Sequence, residues 1–218
     1  ASAGYRSCAL YDFAAYAQFL HGQGYHLLFC TQRAHGASGG QFITFGARER
    51  YDVLSWVTYL SQMLGVDHPM YLMGVSMGAT SVLLASCFDF PANVRGIIAD
   101  CGFTSPDAIL RHAARQRFPK LPAGAALFPM RVLAPVLAGY RLAGCSTPEA
   151  LRAACLAAEE ALKRTEEELA SETNVRNGYL FKQKTLADRQ EKNEAALQDL
   201  RMTLHEKQNR KNILTGME

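Results

Sequence analysis

The sequence predicts an α/β fold, parallel strands with flanking helices, followed by a long helical hairpin. Three observations predict it. Short apolar runs alternate with amphipathic segments through the first 100 residues. A strand-like run, Tyr71-Leu72-Met73-Gly74-Val75, passes through Ser76-Met77-Gly78 directly into a helix-compatible sequence. The composition then changes near Cys155: all 8 prolines and 15 of the 17 glycines precede it, whereas Lys120 is the only lysine before it. Two kinds of sequence are therefore joined, a core over 1–146 and a helical, coiled-coil-like tail over 147–218.

Asp12 to Gly22 places Phe13, Tyr16, Ala17 and Leu20 at helical spacing, with Gly22 and Gly24 as the stop. His26-Leu27-Leu28-Phe29-Cys30 is apolar almost throughout and predicts a buried parallel strand. A Gly-rich loop follows from Thr31 to Gly46. Arg48 to Leu64 sets Val53, Leu54, Val57, Leu60 and Leu64 on one helical face, and Gly65 ends it. Met70 to Gly74 predicts the next strand, its helix runs to about Phe88, and Val94 to Ala99 predicts another strand, closing at Asp100-Cys101-Gly102. Strands separated by helices indicate parallel crossovers, and ligands in such sheets bind beyond the strand C-terminal ends. Ser76, Asp100 and the Thr31 to Gly40 loop are expected along that edge.

Ser105 to Gly144 is broken by Pro119, Pro122, Pro129 and Pro135 and is rich in Leu, Ala and Arg. It suits a lid-like segment over a site, or an ordinary connection. Thr147-Pro148-Glu149 opens a capped helix with proline in its first turn. Asn177-Gly178 is expected to break it, leaving a second helix from Tyr179 to Asn212. Leu151, Ala158, Leu162 and Leu169 share a face in the first arm, and Leu186, Leu197, Leu200 and Leu204 share one in the second. An αα-hairpin or loose antiparallel coiled coil is expected, with self-association through the tail.

A net charge of +3 and the lack of a basic cluster interleaved with aromatics argue against a nucleic-acid partner. No apolar run reaches bilayer length, no targeting pattern opens the sequence, and a cytoplasmic location is the expectation. The six cysteines form no Cys-x-x-Cys motif, so neither a metal nor any other cofactor is expected, and the thiols read as reduced core residues.

The run Gly74-Val75-Ser76-Met77-Gly78 fits Gly-x-Ser-x-Gly. A serine at a sharp strand-to-helix turn is held in a strained backbone and presented outward, while small residues on either side let other backbone pass close. Met77 then sits at the helix N-terminus, where its free N–H can stabilise a developing oxyanion. Around this motif, Gln32-Arg33-Ala34-His35-Gly36-Ala37-Ser38-Gly39-Gly40, Ile43-Thr44-Phe45-Gly46, Glu49-Arg50-Tyr51-Asp52 and Gly96 to Ser105 closely resemble bacterial α/β-hydrolase superfamily proteins. The likeness is to the serine aminopeptidase-like or prolyl-oligopeptidase-like branch and covers about residues 4 to 153.

The resemblance implies an incomplete α/β-hydrolase core, cut short at both ends. It implies Ser76 as nucleophile in the hydrolysis of a small-molecule ester or peptide, and Met77 N–H as half of the oxyanion hole. Ala3-Gly4-Tyr5 stands where the family has His-Gly-x, so the His is absent and Tyr5 N–H is the candidate for the other donor; the strand before it is expected to be missing, and Thr31 replaces the family's Asp. Beyond Leu151 the family continues to its catalytic Asp and His, whereas this chain enters Lys/Glu-rich helices in which no residue matches either. Asp100, after the next strand, and His35, on the first loop, are the substitutes considered for acid and base, although the resemblance gives both a structural role in their loops. The expected activity is impaired or lost. The alternatives are a noncatalytic interaction protein using its helical tail, or a truncated or chimeric gene product.

Overall fold

The computed structural model describes residues 1–215, apart from the side chains of Leu204 and residues 208–215; the expectation placed on Leu204 lies outside the described residues. The chain is mixed α/β, with six α-helices and two parallel strands among the described residues. Two compact units divide it, Ala1–Ala158 and Glu159–Glu218.

The first unit centres on β1 (Met70–Val75) and β2 (Val94–Asp100), a parallel pair joined by the helix Met77–Ala85. Tyr71 faces Gly96 and Val75 faces Asp100, with one irregularity between Met70 and Tyr71. In chain order the helices are α1 (Ala9–Gly22), α2 (Glu49–Leu64), α3 (Met77–Ala85), α4 (Pro106–Arg117), α5 (Ala123–Leu137) and α6 (Thr147–Thr215). α3 is buried at every position but Leu83, which suits its small and apolar composition.

The strand expected over His26–Cys30 does not form. Cys30 makes a single parallel bridge to Ser2 and the Leu28 carbonyl accepts from the Ala1 amino group at 2.8 Å, while His26 and Leu28 are exposed. Ser2 bridges Gly74 as well, and the chain turns away at Gly4, so the ladder does not continue past Cys30. Ser2 N–H donates to the Met73 carbonyl at 2.8 Å, Val75 N–H donates to Ser2 O at 3.2 Å, and Cys30 N–H donates to Ala1 O at 3.0 Å. Beside β1, Ser2 thus partners the Met73 carbonyl and the Val75 N–H, backbone groups that burial would otherwise leave unpaired.

Two apolar clusters flank this centre. Ala3, Ala9 and Phe13 pack with Phe29, Met73 and Val75. Ala47 and Leu84 pack with Ala134, Ala138, Tyr140, Leu142, Cys145 and Ala150, which brings α5 and the start of α6 onto the core. Arg48 reaches from the start of α2 to the Ala138 carbonyl at 3.2 Å, and Asp107 ties α4 to α5 through Arg131 at 2.6 Å.

The cysteines differ from expectation. Only Cys145 is buried; Cys8, Cys87, Cys101 and Cys155 are exposed, and all six are free thiols. Apolar neighbours in sequence did not become neighbours in space.

The hairpin is also corrected. α6 is one helix of 69 residues that continues through Asn177 and Gly178. A single glycine costs a helix about 1 kcal/mol, too little to end it without a competing turn or a packed second arm. No single helix among the described residues is long and apolar enough to cross a membrane.

Candidate active site

Ser76 has φ 51° and ψ −112°, in the left-handed half of backbone space that side chains avoid, and it directly precedes α3. Its N–H donates to the Asp100 carbonyl at 2.8 Å and its carbonyl accepts from Thr80 N–H at 3.1 Å, so both strands and the helix hold the strained residue in place.

The flanking glycines are required by close approach. A Cβ on Gly74 would lie 2.4 Å from the Gly78 carbonyl carbon, and a Cβ on Gly78 would lie 2.0 Å from Ser2 O. The helix therefore packs backbone-to-backbone against the strand and against the first residues of the chain. The Ser76 side chain does not turn back to cap α3, and the residue is half-buried.

Met77 is fully buried, and its N–H, first in the helix, has no backbone acceptor among the described residues. The segment Gly4 to Ser7 lies against the serine: the position of a Cβ on Gly4 is 3.5 Å from Ser76 Cβ and 3.5 Å from Asp12 Oδ2. This turn is pinned at several points. Asp12 accepts from Gly4 N–H at 2.7 Å and from Ser7 Oγ at 2.6 Å, and Ser7 N–H closes the turn on Gly4 O at 3.3 Å. Arg6, with φ 54°, donates its N–H to His35 Nε2 at 3.0 Å. Gln32 donates to the Ala3 carbonyl. Among the described residues Tyr5 N–H has no hydrogen-bond acceptor, while its ring stacks on Phe45 with centroids 5.5 Å apart.

His35 is buried and uses both ring nitrogens locally. Nδ1 lies 2.8 Å from the Arg33 carbonyl and Nε2 accepts from Arg6. Only a neutral ring with its proton on Nδ1 satisfies both contacts, so the lone pair a general base needs is occupied. Asp100 is exposed at the end of β2 and contributes its backbone carbonyl to Ser76, not its carboxylate. Ser76 and Met77 are consecutive, and Gly4, the residue before Tyr5, lies against Ser76; His35 is linked to the serine through the turn, and Asp100 through backbone.

The surrounding loops are rigidly tied. Arg33 makes a two-pronged pair with Asp52 on α2, at 2.7 and 2.6 Å, which holds the guanidinium above its ordinary pKa. Glu49, almost completely buried, accepts from Thr44 N–H at 2.8 Å, Thr44 Oγ1 at 2.5 Å and Gly46 N–H at 2.9 Å. Three donors compensate that buried carboxylate for its lost hydration. Thr80 on α3 accepts from Phe103 N–H at 3.0 Å, fixing the loop after β2.

Asp12 and Gln32 were not legible as site residues. An aspartate in a helix's first turn ordinarily reads as a favourable charge near the helix N-terminus, and nothing in its spacing shows that it faces the turn at Gly4. No cluster of metal-ligating side chains occurs among the described residues. Comparison of the chain with protein-family models, curated proteins and solved structures gives no match.

Proposed function

We propose that the Ala1–Ala158 unit carries the nucleophile and oxyanion half of a serine hydrolase site of the α/β-hydrolase type. Ser76 Oγ attacks the carbonyl carbon of a carboxylic ester or peptide, and the N–H groups of Met77 and Tyr5 receive the charge that develops on the carbonyl oxygen. The observation that supports this most is the strained Ser76 backbone at the head of α3, wedged between two glycines that admit no side chain.

A general base is the missing half. His35 is committed to backbone contacts, so the proton leaving Ser76 Oγ passes to solvent, and the leaving group departs without a protonated partner. Loss of a triad member costs several orders of magnitude in rate. The expected chemistry is slow acylation by activated esters, whose leaving groups need no proton, and still slower release.

Intact-mass analysis after exposure to a p-nitrophenyl ester tests this. One acyl group on Ser76, lost in Ser76→Ala, is expected, with little steady turnover. Labelling that persists in Ser76→Ala, or no labelling at all, removes the nucleophile assignment. Rapid turnover that vanishes in Ser76→Ala means that a base is supplied after all.

A further inference from the structure

We infer that α6 pairs with α6 of a second copy of this chain as an antiparallel coiled coil centred on residues 172–176. Being one helix through Asn177 and Gly178, α6 cannot fold back on itself there, and the pairing that the sequence suggested for two arms is left for two molecules. Leu162, Leu169, Tyr179 and Leu186 are 60–67% exposed, a large apolar load for a helix with no second element beside it among the described residues of its unit.

Positions 162, 165, 169, 172, 176, 179, 183 and 186 follow one another in alternating steps of three and four, the seam of a left-handed coiled coil. The seam is complementary to its own reversal. With two copies antiparallel, Leu162 meets Leu186, Leu169 meets Tyr179, Thr165 meets Gln183, and Glu172 meets Arg176, each layer occurring twice by the two-fold axis. On one flank Glu168 comes opposite Lys182. A parallel pair would instead stack Glu172 on Glu172 and Arg176 on Arg176, which like charge disfavours. Charge at the seam therefore selects both the occupant and its direction.

Sedimentation equilibrium of the full chain tests the pairing, and a benzophenone side chain in place of Leu162, cross-linked by light and located by mass spectrometry, tests its direction. A dimer is expected, with cross-links near Leu186 of the second copy. Glu172→Arg and Arg176→Glu are each expected to raise the dissociation constant about tenfold or more, since each sets like charges at two layers, and the double exchange to restore it. A wild-type chain that stays monomeric, cross-links that return to position 162, or single substitutions without effect on the dimer would overturn the proposal. None of these readouts depends on Ser76.

Discussion

Ser76 stores backbone strain that a glycine would release. A non-glycine residue held at positive φ costs of order 1–3 kcal/mol, and α3 packs too tightly to let Ser76 relax. Ser76→Gly is therefore expected to stabilise the first unit by about 1 kcal/mol while abolishing acylation, whereas Ser76→Ala abolishes acylation without the gain. Urea midpoints of the two variants measure the difference. His35 contrasts with Ser76: both nitrogens serve the backbone, and its side chain is used up in holding the turn beside the serine.

The β1–α3 junction is the element on which the site depends. Gly78→Ala would push the new methyl into Ser2 O, backbone against backbone, and is expected to cost about 1–3 kcal/mol. Because Ser2 bonds Met73 and Val75, the same substitution should speed amide exchange at Ser2 and Val75 while leaving α2 unchanged. The sequence announced this junction clearly, since an apolar strand, a Gly-x-Ser-x-Gly turn and a helix of small residues agree at every level. It was less clear elsewhere. His26–Cys30 has a strand's composition, but whether a strand forms depends on its ladder partner, and the partner of Cys30 is Ser2, distant in sequence. Asn177-Gly178 has a turn's composition, but inside a long helix it lacks a second packed arm to make the turn worthwhile. Local pattern settles elements whose determinants are local; ladder partners and packed arms are not.

At the scale of the whole first unit, stability should decline in alkali. Burial, with the charge of Glu49 nearby, pushes the Tyr140 phenol from an ordinary 10.0 up to about 12. The unfolded chain thus loses this proton first; the contribution of Tyr140 is fully present below about pH 10 and is lost as pH rises towards 12. Burial raises the Cys145 thiol in the same cluster, with the same sign. Tyr140→Phe should flatten the fall in urea midpoint across that window. The bridges of Ser2 to Cys30 and Gly74 have a kinetic counterpart. β1, α3 and β2 are consecutive and meet through short loops, so they can assemble early, but Ser2 must return across a long intervening chain to close them. Until it does, the stretch of β1 that Ser2 covers stands open, and an open strand edge is a template for pairing with another chain.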